Sequence, residues 1–130
     1  MIYLLDTNAL IALGWAHHEH HSRVFKWFQG LDSFATCPIT QLGFLRISMA
    51  LPGYAADFRS VRAVLERITQ HSGHTFFPCE QDVAVLSNDI RGHQQITDQY
   101  LAALAASRKA KLATLAKSAF AMSVYSIPTK

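Results

Sequence analysis

Short apolar runs alternate along this chain with longer segments of helical period, and that alternation restricts the fold more than any other feature of the sequence. Met1 to Leu5 is an apolar run that stops at Asp6, Thr7 and Asn8. Ala9 to Leu13 then begins a helical pattern, with Thr7 or Asn8 able to cap it. From Glu19 to Gln29 the residues Val24, Phe25, Trp27 and Phe28 recur at helical spacing, and Gly30 follows as a stop. Ser33 to Cys37 reads as a short strand, and Pro38 leads into an apolar helix over Ile39 to Ala50 that ends before Pro52 and Gly53. Asp57 predicts the N-cap of a helix reaching about Gln70, with Phe58, Val61, Val64, Leu65 and Ile68 on one face. Thr75 to Phe77 predicts a strand, Asp82 to about Ile90 a further helix, and Gly92 to Gln95 a polar loop. Thr97 and Asp98 can both cap a long helix ending near Ser107, and Lys111 to Leu115 and Met122 to Ile127 close the chain as strands.

Strands separated by helices need right-handed crossovers, which build a mostly parallel sheet covered on both faces. The expected fold is therefore α/β, a three-layer α/β/α stack with a mostly parallel central sheet. At 130 residues, with no internal repeat, low-complexity tract or linker, the chain is expected to form a single domain, 1–130. Half of the residues are apolar and 16% are charged, which excludes general disorder. No apolar run approaches the roughly 20 residues of a membrane span, and the opening run is broken by Asp6 and lacks a basic leader. A cytoplasmic protein with no membrane partner is expected. Cys37 and Cys79 make no metal pair by spacing and read as small buried hydrophobes. The net charge of +3 is compatible with a polyanionic partner.

In parallel sheets function gathers at the carboxyl ends of the strands. Asp6 follows an apolar strand directly, so its carboxylate belongs at that edge, beside the start of a helix. Asp98 belongs to the first turn of another apolar helix. Each alone also reads as a mere helix cap.

Three segments keep a fixed order over nearly the whole chain: Leu4-Leu5-Asp6-Thr7-Asn8-Ala9-Leu10, Thr97-Asp98-Gln99-Tyr100-Leu101-Ala102-Ala103-Leu104-Ala105, and Lys111-Leu112-Ala113-Thr114-Leu115. Together they resemble the PIN-domain family, specifically the VapC-like toxins of toxin and antitoxin pairs. The resemblance implies several acidic residues at the strand ends that bind Mg²⁺ or Mn²⁺ and hydrolyse RNA. By that similarity Asp6 and Asp98 are the metal-binding and catalytic aspartates, and Asn8 is a polar neighbour. It also implies a cognate VapB-like antitoxin that covers the site, an RNA substrate such as tRNA or rRNA, and a homodimer. A hard divalent cation suits such a site on general grounds, since it prefers carboxylate and water oxygens and reaches phosphate through its open positions.

The chain departs from the family at two places. An acid is usual within the segment matching Thr40-Gln41-Leu42-Gly43, where only Gln41 could offer an oxygen, and an aspartate is usual after Leu-Ala-Thr-Leu, where this chain has Ala116. A naturally weakened site and an aspartate replaced so that a toxic nuclease could be produced both account for Ala116. Sequencing the genomic locus separates them. The function expected is thus a metal-dependent endoribonuclease toxin of a VapBC-type pair, impaired at position 116. The alternative is a catalytically inactive PIN module that binds RNA or its antitoxin, and a flap-type DNA nuclease is a third reading.

Other residues read more plainly. His17, His18, His20 and His21 form a solvated polar loop, because their rings would point in different directions and no cysteine or carboxylate set completes a site. Asp89, Arg91 and His93 read as surface charge. Arg46, Lys109, Lys111 and Lys117 are the cations expected nearest the acidic edge, as RNA phosphate contacts or as a solvated face. Trp15, Trp27, Phe25 and Phe28 read as core or dimer-interface residues.

Overall fold

A computed structural model describes residues 1–54, 57–116 and 124–129. Its elements are β1 (Tyr3–Leu5), α1 (Thr7–Gly14), α2 (His21–Gln29), β2 (Phe34–Thr36), α3 (Pro38–Ala50), α4 (Phe58–Thr69), β3 (His74–Phe76), α5 (Gln94–Ser107), β4 (Lys111–Thr114) and β5 (Val124–Ser126). The five strands form one sheet in the order β3-β2-β1-β4-β5, and every neighbouring pair is parallel. β1 lies at the centre, with Leu4 against Ala35 and Leu112 and with Leu5 against Ala113.

A central parallel strand is buried on both faces and so reads as an unbroken apolar run. Leu4 and Leu5 are both fully buried, but on opposite sides. Leu5 packs with Leu10, Val24, Phe44 and Val61 beneath α1 to α4, while Leu4 packs with Tyr100, Leu101, Leu104 and Cys37 beneath α5. This is the expected α/β/α stack. Cys37 is the buried apolar residue the sequence implies, and Cys79 is partly buried against the same cluster. Among the described residues no helix is long and apolar enough to cross a membrane.

The boundaries differ from expectation in three places. The cap of α1 is Asp6 rather than Thr7 or Asn8: its carboxylate accepts the Ala9 N–H at 2.7 Å, and Thr7 is already the first helical residue. The helix expected over 82–90 is only a single 3-10 turn, Val83–Val85. Val83 and Val85 are exposed, so no buried stripe supports a longer helix, and the Ser87 hydroxyl accepts the Asp89 N–H at 3.0 Å, turning the chain away. α5 begins at Gln94, inside the segment expected to be a loop. The Gln95 side chain accepts the N–H groups of Arg91 and Gly92 at 2.8 and 3.3 Å, which organises the entry, so neither Thr97 nor Asp98 is a cap. The closing strand is seen over Val124–Ser126, while Met122 lies outside the described residues.

Candidate metal centre

Asp6 is the residue at which β1 becomes α1. Its backbone N–H donates to the Ala113 carbonyl at 3.0 Å, carrying the ladder with β4 one step further, and its side chain caps the helix. Because Leu5 pairs with Ala113, Asp6 stands level with Thr114, the last residue of β4. The Thr114 side chain lies near enough to the Asp6 carboxyl to favour its ionised form. Both residues are only 6% exposed.

Burial pushes the Asp6 carboxyl up to about 6, against the lowering pull of Thr114 and the Ala9 N–H, and the neighbouring Asp98 pushes it further the same way. Asp98 is half-buried one turn into α5, and burial raises its pKa as well. No cation is paired with either carboxylate among the described residues. An ionised carboxylate only accepts hydrogen bonds, so two of them sharing a sheltered edge lack a compensating positive charge. Hard oxygen donors with surplus negative charge fit a divalent cation. Among the described residues no third His, Cys, Asp or Glu joins them, so the donor set stops at two acids.

The two family departures have structural counterparts. Gly43 faces the site region: a Cβ there would come within 2.8 Å of both Thr7 Oγ1 and Cγ2, so no side chain fits beside Thr7 as it stands. Gln41 is committed elsewhere, its amide nitrogen donating to Thr36 Oγ1 at 3.1 Å, and it does not line the groove next to the acids. Ala116 is exposed just past β4, where its N–H donates to Thr114 Oγ1 at 3.1 Å and its carbonyl accepts from the Ser126 hydroxyl at 2.7 Å.

That groove, of about 320 Å³, lies between α3 and the starts of α1 and α5 and is lined by Thr7, Ile39, Gly43, Arg46, Ile47 and Thr97. Of the four cations expected near the acids, Arg46 is therefore well placed. Lys111 pairs with Tyr3 at the amino end of the sheet, the wrong edge. Lys109 is spent on the turn that leads there: it takes a left-handed φ of 57° while Ala110 N–H reaches back to Ala105 at 2.8 Å, a Schellman closure of α5. Lys117 lies outside the described residues. Asn8 is exposed on the first turn of α1, and Asp89, Arg91 and His93 are exposed.

Among the described residues the histidine run joins no group of three or more side chains that could hold a metal ion. His18 Nδ1 accepts the His20 N–H at 3.0 Å, His21 Nδ1 bonds the Ala12 carbonyl at 2.8 Å, and the His17 ring packs edge-on against Tyr54. Trp15, Trp27 and Phe28 pack partly buried on the core, whereas Phe25 is exposed. Sequence reasoning missed Thr114 as a site residue. Its only signal was a hydroxyl at the end of an otherwise apolar strand.

The molecule is thus a parallel α/β/α protein with a buried and a half-buried carboxylate near the carboxyl edge of its central strands. The PIN domain family matches residues 3–119. The chain is 37% identical over 127 residues to ribonuclease VapC38 of Mycobacterium tuberculosis, covering 92% of this chain and 88% of that protein. It is 41% identical over 117 residues to ribonuclease VapC29 of the same organism, covering 88% and 86%. Among solved structures it resembles M. tuberculosis VapC20, a Sarcin-Ricin loop cleaving toxin, with a TM-score of 0.65 at 15% identity and 89% coverage of each chain. It also resembles VapBC2 of Rickettsia felis bound to a DNA fragment from its promoter, with a TM-score of 0.57 at 16% identity, covering 88% and 87%. The chain belongs to the PIN-domain family.

Proposed function

We propose that the chain, as a single domain, is an endoribonuclease toxin of a VapBC-type toxin and antitoxin pair, using Mg²⁺ or Mn²⁺ held by Asp6 and Asp98. The observation that carries this reading is the meeting of two carboxylates from separate elements at one sheltered edge, each shifted towards protonation and neither ion-paired among the described residues. The kinship with ribonucleases supplies the substrate class. A cation bound there would polarise an RNA phosphodiester and lower the pKa of an attacking water. The protein's own part is positional. Asp6 is fixed by its capping bond and by its backbone bond to Ala113, Asp98 is fixed on α5, and Arg46 in the adjoining groove is placed to hold a neighbouring RNA phosphate.

The antitoxin reading has a surface to draw on, though not beside the acids. A groove of about 400 Å³ lined by Leu13, Gly14, Phe25, Phe28, Val64 and Ile68 runs between α1, α2 and α4, at the other end of α1 from Asp6. An apolar groove bounded by helices suits an amphipathic helix from a partner. A homodimer in a cytoplasmic setting completes the proposal.

The second reading, an inactive PIN module that binds RNA or its antitoxin, is favoured by the donor set that stops at two acids and by Ala116. The test is cleavage of total tRNA with Mg²⁺ or Mn²⁺, with EDTA as control, by this chain and by its Ala116→Asp variant. Strongly raised cleavage that Asp6→Asn or Asp98→Asn then abolishes supports the toxin. A folded, metal-binding Ala116→Asp protein that stays inert yet co-purifies with a co-expressed antitoxin supports the second reading. Cleavage of DNA in preference to RNA would sink both.

A further inference from the structure

A cavity of about 540 Å³ opens where α2 begins, lined by Glu19, His20, Ser22, Arg23, Lys26 and Thr129. Arg23 is fixed in its wall by backbone acceptors alone. Its Nε donates to the Pro128 carbonyl at 2.8 Å, and its Nη2 donates to the carbonyls of Ile127 at 2.5 Å and Leu115 at 3.3 Å. Carbonyls orient a guanidinium without cancelling its charge, and the fork carries further N–H donors on Nη1, which have no partner among the described residues. Lys26, about one turn further along α2, is exposed. Among the described residues no carboxylate pairs with either cation, and the acid in the lining, Glu19, is itself exposed and lies 3.8 Å from His20 Nε2. The cavity therefore sets two positive charges against one negative, and His20 adds a third when protonated.

The sheet fixes where this cavity stands. Neighbouring strands are parallel in the order β2-β1-β4-β5, so Leu115 and Pro128, just past the ends of β4 and β5, lie at the same edge as Asp6 at the end of β1. Neighbouring strands stand about 4.8 Å apart, which puts the exit of β5 roughly 10 Å from that of β1, a span of a few nucleotides of backbone. Arg46 belongs to the helix that follows β2, the strand on the other side of β1. We propose that the cavity of Arg23 and Lys26 is a phosphate-binding subsite that holds the RNA backbone on the β5 side of the two acids. Arg23 supplies a charge already locked in place, which loses little freedom on binding, and Lys26 supplies a mobile one. The contact is to phosphate, so it positions the strand without reading its bases. The cavity touches neither Asp6 nor Asp98, and its role rests on RNA being the ligand of the proposed function.

The test reads binding rather than cleavage, which separates it from the fate of the metal site. Fluorescence anisotropy with a labelled single-stranded RNA of mixed sequence, in EDTA and over a series of salt concentrations, gives the affinity and its salt slope. Lys26→Gln should weaken binding several-fold and make the slope shallower by about 0.7, the share of one phosphate contact on a single strand. Arg23→Gln should do the same, and Arg23→Lys should restore the slope because it returns the charge. Arg59→Gln, which removes an exposed cation of α4 outside the cavity, should change neither. An equal loss from Arg59→Gln, an unchanged slope in Lys26→Gln, a loss confined to RNA of one base composition, or no RNA binding by the parent overturns the proposal. Should Arg23→Gln fail to fold, Lys26→Gln decides alone, since that side chain is exposed. Intact RNA affinity in Lys26→Gln together with lost co-purification of a co-expressed antitoxin would give the cavity to a protein partner's carboxylates and also overturns it. If the slope falls as expected while the Ala116→Asp protein never cleaves RNA, the subsite stands and the nuclease reading falls.

Discussion

Two polar clusters stand near the carboxyl ends of adjacent strands, and they are balanced differently. At the end of β2 the fully buried Thr36 hydroxyl meets His74 Nε2 at 2.7 Å and accepts the Gln41 amide at 3.1 Å. Burial lowers the His74 pKa, which favours the neutral ring, so this cluster carries no net charge. At the end of β1, the Asp6 carboxylate accepts the Ala9 N–H, Asp98 lies near enough to raise its pKa, and burial works against the charge of both. The first cluster closes on itself and is architecture. The second holds more acceptors than donors and is completed only by protons or by a cation.

The widest separation between the clusters should appear in metal affinity. Asp6→Asn keeps the cap and the shape while removing one charge, and should lower Mn²⁺ affinity by on the order of 100-fold or more, since even groups that only orient ligands are worth about 10–100-fold. Gln41→Ala should leave affinity within about twofold, although it strips a partner from buried Thr36 and costs about 1–3 kcal/mol of stability. Titration calorimetry with Mn²⁺ decides it. A large loss from Gln41→Ala would mean that the two clusters form one site.

How much of this contrast was legible in the sequence follows from what each residue type can signal. The strand and helix alternation was legible because burial on two faces demands apolar runs such as Leu4-Leu5 and stripes such as Val61 and Leu65. Asp6 was legible because a charge straight after such a run has only the sheet edge to occupy. The start of α5 was not, because Gln94 and Gln95 look like loop residues until Gln95 is seen gathering the N–H groups of Arg91 and Gly92. Arg23 was invisible for a different reason: its partners are carbonyls 92 to 105 residues away, and backbone acceptors leave no trace in sequence. Lys109 and Lys111 were misplaced because adjacency in sequence to an acidic-edge motif says nothing about which end of the strand a residue occupies.

A smaller effect sharpens the comparison through pH. The Asp6 carboxyl rises from an ordinary 3.8 to about 6 on folding, so between those values the folded chain holds more protons than the unfolded one. Stability from this group is then greatest below about pH 4, falls as pH rises towards 6, and is flat above, a loss of about 3 kcal/mol at 1.36 kcal/mol per unit. Asp6→Asn should therefore match the parent at about pH 4 and exceed it by up to that amount at about pH 7.5 without metal. Denaturant unfolding at the two values tests this. An Asp6→Asn protein less stable than the parent at both would show that the carboxylate stabilises the fold by capping rather than straining it.

The smallest effect is expected at position 116, where the missing acid is replaced in a metal-free protein. Ala116 is exposed and is held through its backbone, by Thr114 and Ser126, so a side chain there adds charge without disturbing packing. A third carboxylate beside two whose pKa values are already raised brings repulsion, but solvent screens it, so Ala116→Asp should cost less than about 1 kcal/mol. Adding Mg²⁺ should reverse the order, because a ligand that binds only the folded state stabilises it in proportion to the logarithm of its concentration over Kd, about 2.7 kcal/mol at 100 times Kd. Thermal melting of both proteins with EDTA and with Mg²⁺ measures the crossing. Were Ala116→Asp more stable by several kcal/mol in EDTA, the edge near β1 would have supplied its own positive partner for the new acid. It would then resemble the self-satisfied cluster at β2, and the distinction between the two regions would be lost.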